Sequence, residues 1–209
     1  MISLLSDSAN WPWFAIALLL GYLLGSIPFG LIFTRMAGLG DIRDIGSGNI
    51  GATNALRTGN RWVAGGTFLC DAGKGAVAVF AALYIAPDAT LALPMAMMAA
   101  AAAFIGHLYP VWLRFKGGKG ISTFIGINLA LFWPVGLLFC VTWLAVAAIF
   151  RYSSLAALIA ALATPIYLAL FSRFDLLPLS IVLVVLIYIA HRGNIGRLTS
   201  GTESRIGSN

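Results

Sequence analysis

Apolar residues in this sequence are gathered into runs long enough to cross a lipid bilayer. The run Ile121–Phe150 holds 30 residues and would extend roughly 45 Å as a helix, at about 1.5 Å per residue. The hydrocarbon core of a bilayer is about 30 Å thick, so a spanning helix needs about 20 apolar residues. Because 60% of the 209 residues are hydrophobic and only 10% are charged, the remainder cannot form a water-soluble surface. The sequence therefore predicts an all-α polytopic membrane protein, with residues 1–209 forming one integral-membrane domain.

Seven membrane segments fit this sequence. The longest run exceeds the thickness of a bilayer core, and Asn128 and Pro134 mark its natural break. The expected segments are Trp11–Met36, Trp62–Ala86, Leu91–Leu108, the two halves of the broken run, Ser153–Phe171 and Leu177–His191. Residues 1–10 contain no Lys or Arg, unlike the basic start of a cleaved signal peptide, so the first segment is expected to be retained.

The positive charges predict the orientation of these segments. Of the 13 Lys and Arg residues, Lys74 lies within the second segment and Arg173 follows the sixth. With the N-terminus outside, all the others fall on the cytoplasmic side, as the positive-inside rule requires. Seven segments then place the C-terminus in the cytoplasm. Since the net charge of +6 lies mainly in short loops between segments, we expect no nucleic-acid partner.

Cys70 and Cys140 lie inside apolar runs, so we expect packed thiols rather than a disulfide or a metal site.

Three segments on the predicted cytoplasmic side combine glycines, cations and amide or hydroxyl side chains. They are residues 46–57 (GSGNIGATNALR), 106–120 (GHLYPVWLRFKGGKG) and 191–203 (HRGNIGRLTSGTE), which we call the first, second and third glycine–cation segments. Glycines let backbone N–H groups approach an anion and form anion-binding nests. Lys and Arg add charge, while Asn, Ser and Thr add neutral donors. This mixture predicts phosphate binding. The alternative is that the segments are turns that only carry the cytoplasmic positive charge.

Four ionisable residues lie near the cytoplasmic ends of predicted segments. Asp71 and Lys74 share one helical face, where charges are costly and are usually paired or functional. Lys74 either forms a structural ion pair with Asp71 or faces a substrate phosphate while Asp71 orients it. His107 and His191 each end a segment and open a motif, so each is either an interfacial polar residue or a functional one.

These motifs closely resemble the bacterial acyl-phosphate-dependent glycerol-3-phosphate acyltransferases, the PlsY family. The first segment contains SGN-x-GATN-x-x-R, the second GH-x-x-P-x-x-L-x-FKGGKG, and the third H-x-x-NI-x-RL-x-x-G-x-E. The run GS-x-P-x-G at Gly25–Gly30 and D-x-x-KG at Asp71–Gly75 match as well. The similarity extends over essentially the whole chain.

The resemblance implies a seven-helix enzyme of the bacterial inner membrane with its active site at the cytoplasmic face. The implied reaction transfers a fatty acyl group from acyl-phosphate to the 1-hydroxyl of sn-glycerol 3-phosphate, giving lysophosphatidic acid and phosphate, without a cofactor or metal. The expected partners are the two substrates and membrane lipid. A functional hand-over from the enzyme that makes acyl-phosphate remains open. The H-x-x-x-x-D signature of acyl-CoA-dependent acyltransferases is missing, since Trp112 follows His107 at that spacing.

The resemblance also suggests site residues. The catalytic centre would be lined by Arg57, Lys116, Ser154, His191 and Asn194, with Ser154 preferred to its neighbour Ser153. The expected substrate-binding residues are Ser47, Asn49, Gly51, Asn54, Asp71, Lys74, His107, Gly117, Gly118, Lys119, Gly120, Thr123, Arg197 and Glu203. The cations would offset the repulsion between two phosphate-bearing substrates. No serine nucleophile with its base can be read from the spacing, so we expect direct attack, with either a substrate phosphate or His191 as the base.

Two other classes of protein are alternatives. A small transporter of a phosphorylated metabolite would need polar groups across the membrane midplane. The outer half offers only Asn128, Thr164 and a few residues at the outer turns. A structural subunit would not need three phosphate-type segments on one side. An enzyme that draws on cytoplasmic substrate is therefore favoured.

Overall fold

The computed structural model describes Leu4 and residues 6–207, and these residues form helices and turns with no strand. In chain order the helices are α1 (Trp11–Gly25), α2 (Phe29–Met36), α3 (Ala52–Leu56), α4 (Arg61–Ile85), α5 (Ala89–Leu108), α6 (Ile121–Phe150), α7 (Ser153–Leu170), α8 (Leu177–Ala190) and α9 (Arg192–Thr199). The predicted all-α membrane fold is confirmed.

Within the described residues, five stretches are long and apolar enough to cross a membrane. They are Ser8–Met36, Arg61–Ile85, Ala89–Leu113, Ile121–Phe150 and Ser153–Leu170. Helices α8 and α9 form a sixth candidate if their bend of 60° lies within one broken span. The number of seven spans and the orientation stay predictions.

Side-chain caps explain where α4 and α5 begin. The Asn60 Oδ1 accepts hydrogen bonds from the backbone N–H groups of Trp62 (3.0 Å) and Val63 (3.1 Å). The Asp88 Oδ1 accepts from the N–H groups of Thr90 (2.8 Å) and Leu91 (3.0 Å). Such caps satisfy N–H groups that have no partner inside the helix. The second and third predicted segments therefore begin close to where the sequence placed them.

Two prolines accompany breaks in apolar runs. The first predicted segment is not one helix, because α1 ends at Gly25 and α2 begins after Pro28. In α6 the backbone of Phe132 is extended, with φ −160° and ψ 90°. Pro134 lacks an N–H group, and its ring crowds the carbonyl of Ala130, which disfavours a continuous helix. The predicted break near Pro134 is thus confirmed, and whether its two halves are separate spans stays a prediction.

The break at Phe132 coincides with a division of the chain into two compact units, residues 1–131 and 132–209. This division does not test the predicted single domain. In the first unit α1 packs tightly on α5, because a Cβ on Gly21 or Gly25 would overlap the carbonyl oxygen of Ala99 or Ala103, respectively. The start of α6 packs equally closely on α4, where Gly126 faces Ala72. Small residues of this kind let membrane helices approach each other.

The second unit contains the end of α6 together with α7, α8 and α9. Thr142 and Tyr167 join α6 to α7 through a hydroxyl pair at 2.7 Å. The Tyr188 hydroxyl of α8 donates to the Leu158 carbonyl of α7 at 3.2 Å. Helix α9 was not among the predicted segments, and it follows α8 directly after His191. The third glycine–cation segment is therefore mainly helical, and its GNIG run is not a backbone nest.

Single cysteines should test the predicted orientation. With Cys70 and Cys140 replaced by alanine, cysteines at Ser6 and Ser208 are expected to react with an impermeant maleimide from opposite sides of sealed cells. The reason is the one-sided distribution of Lys and Arg. Ser208 lies outside the described residues.

Ala89→Cys is the matched control for this labelling, because Ala89 is exposed at the start of α5, just after the second predicted segment. It should label from the same side as the cysteine at Ser6. Labelling of Ser6 and Ser208 from one side would contradict the seven-segment prediction.

Candidate active site

Asn54 organises the first glycine–cation segment. Its Nδ2 donates to the carbonyl oxygens of Ile42 (2.8 Å), Ile45 (3.1 Å) and Asn49 (2.8 Å). Its Oδ1 accepts from the N–H group of Ser47 at 3.1 Å. Only 2% of Asn54 is exposed. Since its amide is used by backbone groups of residues 42–49, Asn54 shapes this loop, although the sequence predicted a substrate ligand.

The exposed side of the same segment carries Ser47 and Arg57. Gly46 has a positive φ of 54°, and a Cβ there would lie 2.6 Å from both Cδ and a terminal nitrogen of Arg57. The Arg57 side chain therefore folds back over the Gly46 backbone. Asn49 is half-buried and accepts a hydrogen bond from the Gly51 N–H group at 3.0 Å. The predicted residues of the first segment thus lie in one loop and in and beside the short helix α3 that follows it.

Asp71 and Lys74 form a buried ion pair near the middle of α4. The Lys74 Nζ lies 2.7 Å from the Asp71 Oδ1, and both side chains are 2% exposed. Lys74 also donates to the Ile27 carbonyl at 2.8 Å, in the break between α1 and α2. Of the two predicted roles for Lys74, the geometry favours the structural ion pair, because the ammonium group is enclosed by protein.

His107 completes this buried cluster from the last turn of α5. Its Nδ1 lies 3.7 Å from the Asp71 Oδ1, and its side chain is 3% exposed. Thr123, in the first turn of α6, is fully buried and contacts the position of a Cβ on Gly75 at 3.1 Å. His107 and Thr123 therefore belong to the packed interior and are not open to the aqueous side.

The second glycine–cation segment folds back on the end of α5. The Gly117 N–H group donates to the Leu108 carbonyl at 2.9 Å, and the Gly118 N–H group donates to the His107 carbonyl at 3.0 Å. The expectation that these two amides form an anion-binding nest is wrong, because both already donate to backbone carbonyls.

The glycines of this segment are required by close packing. A Cβ on Gly117 would overlap the His107 carbonyl oxygen, and a Cβ on Gly118 would overlap the His107 Nε2. Gly120 has a positive φ of 83°, and a Cβ there would overlap the ring of Phe104. The glycine pattern that suggested phosphate binding therefore has a steric cause at these three positions.

The lysines of the second segment are more accessible than its glycines. Lys116 is exposed and Lys119 is half-buried. Arg114 and Phe115 precede Lys116 with positive φ values of 52° and 60°. Two consecutive non-glycine residues in this conformation are unusual and are typical of functional turns. The turn leaves the Lys116 ammonium group accessible to an anion.

In the second unit, Glu203 brings together the predicted residues of the third segment and of α7. Its Oε1 accepts hydrogen bonds from the Ser154 hydroxyl and from the Asn194 amide, each at 2.6 Å. Its Oε2 accepts from the Arg197 Nε at 2.6 Å. We call these four residues the Glu203 cluster. Ser154 thus contacts a predicted site residue, and the preference for Ser154 over Ser153 stays a prediction.

Glu203 is held in its charged form by these contacts. Burial alone raises the pKa of its carboxyl group, but the hydrogen bonds from Ser154 and Asn194 and the ion pair with Arg197 more than offset this effect. The pKa of Glu203 is therefore below its ordinary value. Its side chain is 7% exposed while that of Arg197 is 43% exposed, so Arg197 is the open edge of the cluster.

A strap formed by residues 202–207 carries Glu203, and the sequence did not predict it. Ile206 and Arg151 are joined twice, by Ile206 N–H to the Arg151 carbonyl at 2.6 Å and by the Arg151 guanidinium to the Ile206 carbonyl at 3.0 Å. Arg205 donates to the Tyr152 hydroxyl at 3.1 Å and lies 5.5 Å from its ring centroid. The strap is thereby fixed to the turn that precedes Ser154.

His191 lies at the junction of α8 and α9 and is 3% exposed. Its Nδ1 lies 2.8 Å from the Ile187 carbonyl oxygen. Because a carbonyl oxygen can only accept, Nδ1 donates in this contact, and a proton exchanged by the ring would move through Nε2. This geometry suits a general base. Among the residues that the structure describes, no three His, Cys, Asp or Glu side chains form a group that could hold a metal ion.

Comparison with known proteins gives concordant results. A family profile described as "Glycerol-3-phosphate acyltransferase" matches residues 15–201. A glycerol-3-phosphate acyltransferase of Bradyrhizobium diazoefficiens is 58% identical over 92% of this chain and 94% of its own length. One of Mesorhizobium japonicum is 55% identical over 92% of this chain and 96% of its own length.

Solved structures agree with these relatives. The crystal structure of PlsY, an integral membrane glycerol 3-phosphate acyltransferase in its glycerol 3-phosphate form, has a TM-score of 0.85 and 34% identity. The match covers 93% of this chain and 96% of that protein. Its lysophosphatidic acid form has a TM-score of 0.83 and 33% identity, over 93% of this chain and 95% of that one.

Proposed function

This chain belongs to the glycerol-3-phosphate acyltransferase family, and from that premise we propose that it uses acyl-phosphate as the acyl donor. The acceptor is sn-glycerol 3-phosphate, and the reaction takes place at the cytoplasmic face of a bacterial inner membrane. The observation that carries the proposal is the family match over residues 15–201, which includes the first two glycine–cation segments and the third as far as Gly201.

The proposed chemistry is a direct acyl transfer. The 1-hydroxyl oxygen of glycerol 3-phosphate attacks the carbonyl carbon of the acyl-phosphate and forms an ester bond. The bond between that carbon and the phosphate oxygen breaks, and inorganic phosphate leaves with both bonding electrons. The hydroxyl proton passes either to a substrate phosphate or to His191. Because acyl-phosphate is an activated anhydride, positioning and charge stabilisation supply most of the rate enhancement.

In the first unit, accessible cations support this chemistry. Arg57 and Lys116 are exposed, and each lies at the end of a loop whose backbone is fixed by internal hydrogen bonds. A fixed loop presents its cation without a large loss of conformational freedom on binding, which is the basis of preorganised electrostatic stabilisation. We propose that Lys116 stabilises the transferring phosphate and that Lys119 holds glycerol 3-phosphate.

In the second unit, the Glu203 cluster supports a role for Ser154 and Asn194 as donors. The Ser154 hydroxyl donates to the Glu203 carboxylate, which fixes the direction of that hydroxyl. We propose that Glu203 orients Ser154, Asn194 and Arg197, and that the Nε2 of His191 is one of two candidate bases.

The contacts of Asn128 and Thr164 disfavour the transporter alternative. The Asn128 Nδ2 donates to the Phe124 carbonyl of its own helix at 2.8 Å, and the Thr164 hydroxyl donates to the Ala160 carbonyl at 2.9 Å. These two polar side chains are thus satisfied locally and do not present a substrate path. Membrane residence also fits a substrate with a fatty chain and a hand-over from the enzyme that makes acyl-phosphate.

A donor assay with purified protein tests the proposal. With radiolabelled glycerol 3-phosphate in detergent, palmitoyl-phosphate should give lysophosphatidic acid and inorganic phosphate in equal amounts. Palmitoyl-CoA and palmitoyl acyl carrier protein should give neither product. The sequence basis is the missing H-x-x-x-x-D signature at His107.

Two outcomes would contradict this proposal. Product from palmitoyl-CoA alone would show that the donor is wrong while the family activity stands. No product from any donor, together with glycerol 3-phosphate uptake into proteoliposomes, would favour the transporter.

A further inference from the structure

We propose that His107 is a positioning residue that sets the conformation of the Lys116–Gly120 loop through its contact with Gly118. In this view Asp71, Lys74 and His107 do not touch substrate. The inference rests on the proposed function only for its kinetic readout, since the contacts themselves are independent of the reaction.

Burial separates this cluster from a substrate that arrives in water. The side chains of Asp71 and Lys74 are each 2% exposed, and that of His107 is 3% exposed. The Lys74 ammonium group donates to the Ile27 carbonyl at 2.8 Å. A buried ion pair whose ammonium group also donates to a backbone carbonyl holds the groups around it in place.

The two edges of the His107 ring have different neighbours. Nδ1 lies 3.7 Å from the Asp71 Oδ1, so this edge faces the ion pair. At the opposite edge, Nε2 occupies the space that a Cβ on Gly118 would need. The ring therefore fills the gap between the buried carboxylate and the loop backbone.

The loop is also tied to His107 by its backbone. The Gly118 N–H group donates to the His107 carbonyl at 3.0 Å, which keeps the loop close to the ring. Because tightly packed groups resist displacement, the position of the His107 ring determines how closely the loop backbone can approach the end of α5. Lys116 and Lys119 flank the two glycines, so the placement of both cations follows from the same contact.

This arrangement gives a specific explanation for the two neighbouring glycines. Gly118 must be glycine because of a side chain, the imidazole of His107. Gly117 must be glycine because of a backbone atom, the His107 carbonyl oxygen. Shortening the His107 side chain would therefore make room at Gly118 but not at Gly117.

A double-mutant cycle tests the inference. Gly118→Ala alone is expected to lower kcat/KM by at least about tenfold, through a higher KM for glycerol 3-phosphate or a lower kcat. In a His107→Ala background, adding Gly118→Ala should cost less than about twofold further. Gly117→Ala is the matched control, and its cost should remain the same in both backgrounds.

The opposite results would overturn the proposal. If Gly118 were glycine so that an anion could approach the backbone, its replacement would be equally harmful with or without the imidazole. If His107→Ala rescued Gly117→Ala to the same degree, the loop would be loosened in general. If Gly118→Ala left kcat/KM unchanged, the contact between Gly118 and His107 would have no role in placing the loop.

Thermal unfolding in detergent gives a second readout that does not depend on activity. Gly118→Ala should lower the unfolding temperature, and adding His107→Ser should reverse part of that loss even if His107→Ala folds poorly. If the wild type shows no acyl transfer, the proposed function fails, whereas the coupling between positions 107 and 118 is still measured. Additive temperature shifts would overturn the positioning role.

Discussion

Replacing Lys116 with alanine is expected to lower the turnover number by roughly 10²–10³, with folding retained. The physical reason is the loss of about 3–4 kcal/mol of charge-assisted stabilisation of the transferring phosphate. Lys116 is exposed at the end of a turn in which Arg114 and Phe115 have positive φ, so little else in the structure depends on its side chain. The measurement is kcat at saturating palmitoyl-phosphate and glycerol 3-phosphate.

Arg114→Ala is the matched control for Lys116→Ala. Arg114 is a cation in the same turn and is also exposed, so its loss removes equal charge from this side of the membrane. Its turnover number should stay within about twofold of the wild type. Lys119→Ala, by contrast, should chiefly raise the KM for glycerol 3-phosphate. Near-normal turnover of folded Lys116→Ala would remove the argument for a catalytic role of this loop.

Breaking the buried ion pair of α4 should have the largest effect on stability. Asp71→Leu leaves the Lys74 ammonium group buried without its carboxylate, which costs about 3–5 kcal/mol. For a chain of this size, such a loss corresponds to a fall of roughly 6–20 °C in unfolding temperature. Replacing both residues, Asp71→Leu with Lys74→Met, should restore most of this loss because no unpaired charge remains.

Asp175→Leu is the control for this second experiment. Asp175 also forms an ion pair, with Arg173 at 2.8 Å, but its side chain is 40% exposed. An exposed pair contributes about 0–1 kcal/mol, so only a small shift in unfolding temperature is expected. Unfolding can be followed by size-exclusion chromatography of detergent-purified protein after heating. If the double variant were no more stable than Asp71→Leu alone, the ion-pair explanation would be wrong.

The sequence predicts most of the helices because their signals are local. The helix caps Asn60 and Asp88 adjoin the apolar runs that they start. Pro134 lies within a run too long for one span, and the break follows beside it. Helix α9 was missed because its glycines are typical of loops, whereas its direct continuation from α8 gives it a helical start.

The candidate site is less predictable because its contacts join distant residues. Ser154 and Glu203 are 49 positions apart, and no periodicity relates them. The pairing of Ile206 with Arg151 uses mainly backbone groups, which carry no sequence signal. The role of Gly118 was misread as anion binding, because a sequence shows that a Cβ is excluded without showing what excludes it.

The strap has a consequence for how the enzyme is made. A ribosome adds residues in order, so Glu203 is synthesised after every described helix, including α7 with Ser154 and α9 with Asn194. The Glu203 cluster cannot form until that carboxylate joins Ser154, Asn194 and Arg197. A nascent chain whose helices are already inserted therefore lacks this cluster. Acyl transfer that depends on it begins only when synthesis has passed the strap.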